Sequence, residues 1–223
     1  MSTINIAPKG AVIHVVDDDA GLRTGLCRLL EAVGYETRQY ASAGDFLLHD
    51  PGDAPGCVLL DVRMPGPSGL DLQQALTARR EPLPVVFLSG HGDIPTSVRA
   101  LKAGAVDFLT KPVTRDTLLA AVEGALTQDA ARRTEREELR ALQARYETLT
   151  PREREVFAHV VTGKLNKQIA GEVGAAERTV KAHRARVMEK MQVESLADLV
   201  RVAGRLSLPE PGAGFPTAAA TKA

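Results

Sequence analysis

The chain is short of several things at once. It has two cysteines, no tryptophan and no net charge, with 28 Lys/Arg against 28 Asp/Glu. No uncharged apolar window approaches the ~18 residues that a membrane-spanning helix needs. Cys27 and Cys57 both fall inside apolar stretches, which suits buried thiols in a reducing compartment and argues against a disulfide or a zinc site. Met1 to Gly10 holds no basic cluster followed by an apolar segment, so no secretion signal is read and a cytoplasmic protein is expected. No internal repeat is found. Zero net charge, taken alone, argues against a nucleic-acid partner.

What is present reverses that last exclusion. At 223 residues the chain exceeds the ~100–150 of a common single domain and suits two. Its 44% apolar and 25% charged residues are a globular composition, which excludes a wholly disordered or fibrous chain. Residues 1–127 carry 11 Lys/Arg against 15 Asp/Glu, a net −4, and residues 128–223 carry 17 against 13, a net +4. The zero is therefore a cancellation between two halves with different partners.

The first half alternates short β-branched runs, at 12–17, 35–40, 57–61, 84–89 and 106–110, with amphipathic stretches near 20–33, 42–49, 69–79 and 94–103. A fifth helix starts near Thr114. This alternation predicts βαβ units and a doubly wound parallel sheet of order 2-1-3-4-5, a flavodoxin-like α/β domain over residues 10–127. Residues 128–148 contain neither glycine nor proline and are dense in charged helix formers, which predicts a long helix continuing from the fifth. Leu139, Leu142, Tyr146 and Leu149 are spaced along it so that the segment reads either as a semi-rigid linker or as a dimer-forming coiled coil.

Residues 150–205 show no strand pattern and read as a separate all-α domain. Thr150, Pro151 and Glu153 supply an N-cap, a first-position proline and a capping-box acid. Gly163 is read as ending that helix and Asn166 as capping the next. The small-residue and proline-rich tail, 208–223, has the composition of a disordered segment.

Two constellations carry chemistry. Strand one ends in Asp17, Asp18 and Asp19, and strand three ends in Asp61. In this strand order the two ends are neighbours at the switch point where ligands bind, so Asp17, Asp18 and Asp61 are expected to converge. Their mutual repulsion is best relieved by a hard divalent cation, Mg²⁺. Ser89 at the end of strand four and Lys111 at the end of strand five fall on the same edge, completing a site for a tetrahedral dianion such as phosphate, with Asp61 as nucleophile. Singly, each residue has a plainer reading: Asp19 as a helix cap, Ser89 as a loop hydroxyl, Lys111 as a surface charge, His91 as a loop histidine.

The segments VVDDD, LLDVRMPGPSGL, FLSGHGD and AGAVDFLTKP resemble the receiver domain of two-component response regulators. The resemblance implies that Asp61 accepts a phosphoryl group from a sensor histidine kinase, and that Asp17, Asp18, Asp61 and the backbone carbonyl of Arg63 hold Mg²⁺. It also implies that Ser89 and Lys111 bind the phosphoryl group, that Phe108 is the aromatic whose rotation accompanies activation, and that Lys111–Pro112 is cis. Ser89 stands where Thr is commoner, which keeps the hydroxyl. Phosphorylation would then reshape the face of the fourth helix, fifth strand and fifth helix, where dimers are expected to form.

The second constellation is NKQIAGEVGAAERTVKAHRARVMEK at 166–190, two helices around a turn at Gly174, which is a helix-turn-helix pattern. In the second helix Val180, Val187 and Met191 share a core stripe, which turns Arg178, Lys181, Ala182 and Ala185 outward with Thr179 and Arg186 at the flank. Residues 150–205 resemble a LuxR-type helix-turn-helix, and the combination resembles the FixJ/NarL class of response regulators. That implies Asn166, Lys167, Thr179, Lys181, His183 and Arg184 near double-stranded DNA, and a last helix that pairs two copies into a homodimer. RNA polymerase is a further partner open to such a regulator. The stripe itself puts His183 and Arg184 nearer the core, in phosphate-contacting or structural roles. Ala175 and Ala176 leave the second helix without a side-chain cap, and Ala182 and Ala185 offer only apolar contact to thymine methyls.

Rival readings fare worse. An aspartyl-phosphate phosphohydrolase commonly has an acid two residues after its nucleophile, where this chain has Arg63. A P-loop fails because Ala158 and Leu165 occupy required positions around Gly163 and Lys164. A regulator independent of phosphorylation would have no use for the intact acidic site. The expectation is a phosphorylation-switched transcriptional regulator and not an enzyme.

Overall fold

The computed structural model describes residues 10–49, 54–78, 82–90 and 94–206. The tail read as disordered and the loop histidine His91 lie outside the described residues. The chain forms two compact units, the first reaching Arg133 and the second starting at Thr134.

The first unit is a five-stranded sheet in the order β2-β1-β3-β4-β5, built from β1 (Val12–Val16), β2 (Glu36–Tyr40), β3 (Gly56–Asp61), β4 (Val85–Ser89) and β5 (Asp107–Thr110). Every neighbouring pair is parallel, and the register sets Val16 beside Leu60 and Ser89 beside Thr110. Helices α1 (Ala20–Glu31), α2 (Ala43–Leu48), α3 (Gly69–Thr77), α4 (Ile94–Lys102) and α5 (Arg115–Glu147) make the connections. Successive side chains of a strand point to opposite faces, so β3, buried along its whole length, feeds both layers. Ile13, Val15, Leu59 and Leu88 pack with Leu26 and Leu30 of α1 and Leu118 and Val122 of α5. On the other face Val16, Val58, Leu60 and Phe87 pack with Phe46, Leu72 and Leu76. Each such residue contributes roughly 2 kcal/mol by leaving water.

Glycine is required where α3 starts. A Cβ on Gly69 would lie 2.2 Å from the carbonyl oxygen of Asp61, so any side chain there would displace the end of β3.

The second unit holds α6 (Pro151–Val161), α7 (Asn166–Val173), α8 (Glu177–Met191) and α9 (Leu196–Leu206). The expected capping box is present: Thr150 Oγ1 accepts from Glu153 N–H, and the Glu153 carboxylate accepts from Thr150 N–H at 2.9 Å. Val180, Val187 and Met191 form the expected stripe and pack with Val156, Phe157, Ile169 and Leu199. One expectation is corrected. Asn166 is the first residue of α7 and not its cap; Leu165 occupies the cap position, and Gln168 Oε1 accepts the Leu165 N–H at 2.8 Å. The longer glutamine side chain reaches back a turn, which frees the Asn166 oxygen for a partner on α8.

Residues 128–147 continue α5 as a single helix. Tyr146 in its last turn and Leu149 just beyond its end pack into the core of the second unit, where the Tyr146 ring meets Phe157 edge-on at 5.5 Å. The Arg154 guanidinium lies over the Tyr146 ring, 5.2 Å from its centroid, and donates to the Glu147 carbonyl at 3.0 Å.

Two buried ionisable groups give tests of this fold. His14, in the middle of β1, bonds Tyr40 through Nδ1 at 3.0 Å, and burial with the nearby Arg38 charge lowers its pKa from 6.5 to about 4. The unfolded chain binds the proton more readily, so stability is full above pH 6.5 and falls as pH drops toward 4, by about 3 kcal/mol from this group. Denaturant unfolding of His14→Gln, which keeps a bonding partner for Tyr40 but does not titrate, should show a flatter stability profile across that window. An unchanged slope would contradict the assignment.

Glu153 is the second group. Burial pushes its carboxyl up, but bonds from Lys190 and Thr150 outweigh that and hold it below the ordinary range. Lys190 Nζ lies 2.6 Å from Glu153 Oε2 and 3.0 Å from the Thr148 carbonyl. Lys190→Met strands the buried carboxylate and should cost about 2 kcal/mol, less than a fully buried pair because the ammonium reaches solvent. Equal unfolding midpoints for variant and parent would contradict it.

Candidate functional site

The acidic edge of the sheet is organised around one ammonium. Lys111 follows β5, is joined to Pro112 by a cis peptide bond, and its N–H donates to the Ser89 carbonyl at 2.7 Å. Its Nζ donates to Asp17 Oδ2 at 2.7 Å and to Asp61 Oδ1 at 2.5 Å. The remaining carboxylate oxygens are also engaged: Asp17 Oδ1 accepts from Asp19 N–H at 2.9 Å, and Asp61 Oδ2 accepts from Arg63 N–H at 2.8 Å.

The electrostatics follow from this geometry. Burial raises the Asp61 pKa, and the Asp17 charge adds to the rise, while Lys111 and the Arg63 N–H oppose it; the net shift is upward. For Lys111, burial alone would lower the pKa, but the two carboxylates more than reverse it. One cation thus shares two anions, which leaves the trio with a net negative charge.

The three carboxylates of the expected site differ in their surroundings. Asp17 and Asp61 are buried against Lys111, but Asp18 is exposed, and among the described residues no three His, Cys, Asp or Glu side chains form a metal-ligating group. The reason lies in the backbone. Asp17 ends the buried run of β1, the chain then turns toward α1, and Asp19 serves as the helix cap, accepting from Gly21 and Leu22 N–H at 2.8 and 3.0 Å. Arg23, in the second turn of α1, donates to the Asp17 carbonyl at 2.5 Å. Ser89 is buried at the end of β4, and the half-buried Phe108 faces Phe87 with ring centroids 6.1 Å apart. The Arg63 N–H, which the sequence did not single out, donates to Asp61; its position two residues after a strand-end carboxylate was the available signal.

The basic face is assembled on α7 and α8. Gly174, in the left-handed conformation, closes α7 and turns the chain into α8. Ala176 precedes α8 with no side-chain cap bond, as its methyl requires. Arg178, Thr179, Lys181, Ala182, Ala185 and Arg186 are all exposed, as is Lys167 on α7. His183 and Arg184 are half-buried, nearer the core as the stripe predicted. Arg184 Nη1 donates to Asn166 Oδ1 at 3.2 Å, tying the two helices together, and His183 Nδ1 is buried with no hydrogen-bond partner among the described residues. Sequence reasoning missed the brace behind this face: Lys190, 37 residues from Glu153, and Arg152, which donates to the Val173 carbonyl at the end of α7. Nothing in local spacing marks either contact.

Residues 13–123 match the response regulator receiver domain family, and residues 147–203 match the luxR family of bacterial regulatory proteins. The chain is 46% identical over 202 residues to nodulation protein W of Bradyrhizobium diazoefficiens, covering 91% of this chain and 89% of that protein. It is 42% identical over 196 residues to the transcriptional regulatory protein FixJ of the same organism, covering 88% and 96%. The solved structure of response regulator StyR superposes with a TM-score of 0.76 at 46% identity, over 88% of this chain and 99% of that one. An acidic, lysine-bridged sheet edge and a basic helix-turn-helix in one chain agree with these matches, and the protein belongs to the two-component response regulators that join a receiver domain to a LuxR-type DNA-binding domain.

Proposed function

We propose that Asp61 is the phosphoacceptor of this regulator and that its phosphorylation by a sensor histidine kinase in the cytoplasm switches dimerisation and sequence-specific DNA binding. The observation that carries the reading is the Lys111 ammonium shared between Asp17 and Asp61 at the carboxyl edge of the sheet. A carboxylate oxygen of Asp61 forms the new P–O bond as the P–N bond to the donor imidazole breaks. Lys111 and the Ser89 hydroxyl would then bind the phosphoryl oxygens, and Phe108 would follow the movement of Ser89.

The donor set suits Mg²⁺. Asp17 and Asp61 supply hard carboxylate oxygens, each with lone-pair capacity beyond its one hydrogen bond, and Asp18 and the Arg63 carbonyl, next to them in sequence, would add further oxygen ligands. The ion would neutralise charge on the transferring group. Lys111 meanwhile opposes the rise that burial imposes on the Asp61 carboxyl.

Adding roughly −1.5 to −2 charges at Asp61 draws Lys111 and Ser89 inward and reshapes the face of α4, β5 and α5. That face carries exposed apolar residues suited to pairing: Ile94 is 76% exposed, with Val98 and Leu101 beside it. On α9, Leu196 and Val200 are exposed beside the buried Leu199, which supports a second self-contact when two copies sit on DNA. Arg178, Thr179, Lys181, Ala182, Ala185 and Arg186 would face the major groove, with Lys167, Asn166, His183 and Arg184 at its edge. A dimer on DNA also gives RNA polymerase a surface to meet.

Incubation with acetyl phosphate and Mg²⁺, followed by borohydride trapping and mass spectrometry, should place the label on Asp61, and both chelation of the metal and Asp61→Asn should abolish it. Equal labelling of Asp61→Asn would contradict the assignment.

A further inference from the structure

The buried row of α5 runs Leu118, Ala121, Val122, Ala125 and Leu126, and the next position in that spacing is Asp129. Helical periodicity therefore carries the core-facing stripe into a carboxylate that is 1% exposed. A buried charge is costly unless it is paired and hydrogen-bonded, and Asp129 is both. Its Oδ2 accepts from Gly56 N–H at 3.1 Å, across 73 residues of sequence, and from Arg133 Nε at 2.7 Å. Arg133 then uses Nη2 to donate to the Ala54 carbonyl at 2.8 Å.

The strand start is shaped for this contact. Gly56 pairs with Val12, and a Cβ on it would lie 2.2 Å from the Val12 carbonyl oxygen, so β3 begins at a position that admits no side chain. The next residue, Cys57, is fully buried, as is the Asp129 carboxylate itself. At its other end the same strand terminates in Asp61. The charge-dense composition after residue 127 reads as a solvated linker, but these two residues are built into the first unit.

We propose that Asp129 and Arg133 lock the first turns of the linker helix onto the start of β3. The strand that carries Asp61 and the root of the helix leading to the DNA-binding unit then move as one body, and a change in the receiver is passed to the reader through that root. Both are positioning residues: they touch the start of β3, whereas Asp61 ends it, and neither belongs to the Lys111 trio or to the helix-turn-helix. The lock rests on the hydrogen bonds alone; its consequence for switching rests on the regulator reading above.

The test uses the full chain and a DNA site selected from a random pool by the beryllofluoride-bound protein. In Asp129→Ala, hydrogen exchange of the amides at 56 and 127–133 should accelerate about tenfold or more, since local opening no longer breaks a buried ion pair. Labelling of Asp61 should stay within about twofold, because distant sites act independently. The gain in DNA affinity on adding beryllofluoride should shrink about fivefold, the size of a modest coupling energy. Arg133→Gln, which keeps the Asp129–Gly56 bond, should move the exchange and affinity readouts the same way by less while leaving Asp61 labelling unchanged, and serves if Asp129→Ala does not fold. Unchanged exchange at the helix root would overturn the lock, and accelerated exchange with an intact affinity gain would overturn its role in switching. If the parent protein gains no affinity with beryllofluoride, the regulator reading fails, and the exchange rates still decide the lock.

Discussion

A single ammonium held between two buried carboxylates is the constraint around which the receiver is arranged. Lys111 is 94 residues from Asp17 and 50 from Asp61 in sequence, and only a sheet that sets β1 beside β3 and carries β4 and β5 outward brings the three together. Two like charges ~4 Å apart repel by about 4 kcal/mol at the effective dielectric of a protein surface, so the trio is stable only while the cation is shared. Anything that adds negative charge to Asp61 must redraw this sharing. The same bonds that hold the resting state together are therefore those through which phosphorylation would act.

The DNA-binding unit solves a similar problem differently. Glu153 is buried at the start of α6, where it closes a capping box, and Lys190 from the far end of α8 neutralises it while also bonding the Thr148 carbonyl. The helix that presents Arg178, Lys181 and Arg186 is thus braced at its end against the segment that enters the unit. Arg184 and Asn166 brace its middle against α7. If this face is the one that meets DNA, as proposed, exposed cations on a helix held at both places would lose little orientational freedom on binding, which favours reading base edges and not only phosphates.

Much of this was legible in the sequence, and the limits have physical causes. Strand order followed from alternating period-2 and period-3.6 patterns, and Val180, Val187 and Met191 followed from helical spacing alone, because burial repeats with backbone geometry. The Thr150 cap was legible because a capping box is local. The exposure of Asp18 beside the buried Asp17 was not, because it depends on how the chain leaves β1 toward the Asp19 cap. Asn166 was misread as a cap because the helix starts one residue earlier, with Leu165 at the cap position and its N–H taken by Gln168 Oε1, while the Asn166 oxygen accepts from Arg184 on another helix. Tyr146 was left between two readings, and its partner Phe157 lies on another helix. The Asp129 contact was invisible for a related reason: a charged residue in a charged segment gives no sign of burial, and only the third dimension brings Gly56 to it.

The central claim is that charge added at Asp61 changes the state of the whole chain. Sedimentation velocity of the full-length protein with Mg²⁺, with and without beryllofluoride, tests it most directly. The account requires a shift from monomer toward dimer on adding beryllofluoride and no shift for Asp61→Asn. Identical sedimentation of the parent protein in both conditions would contradict it.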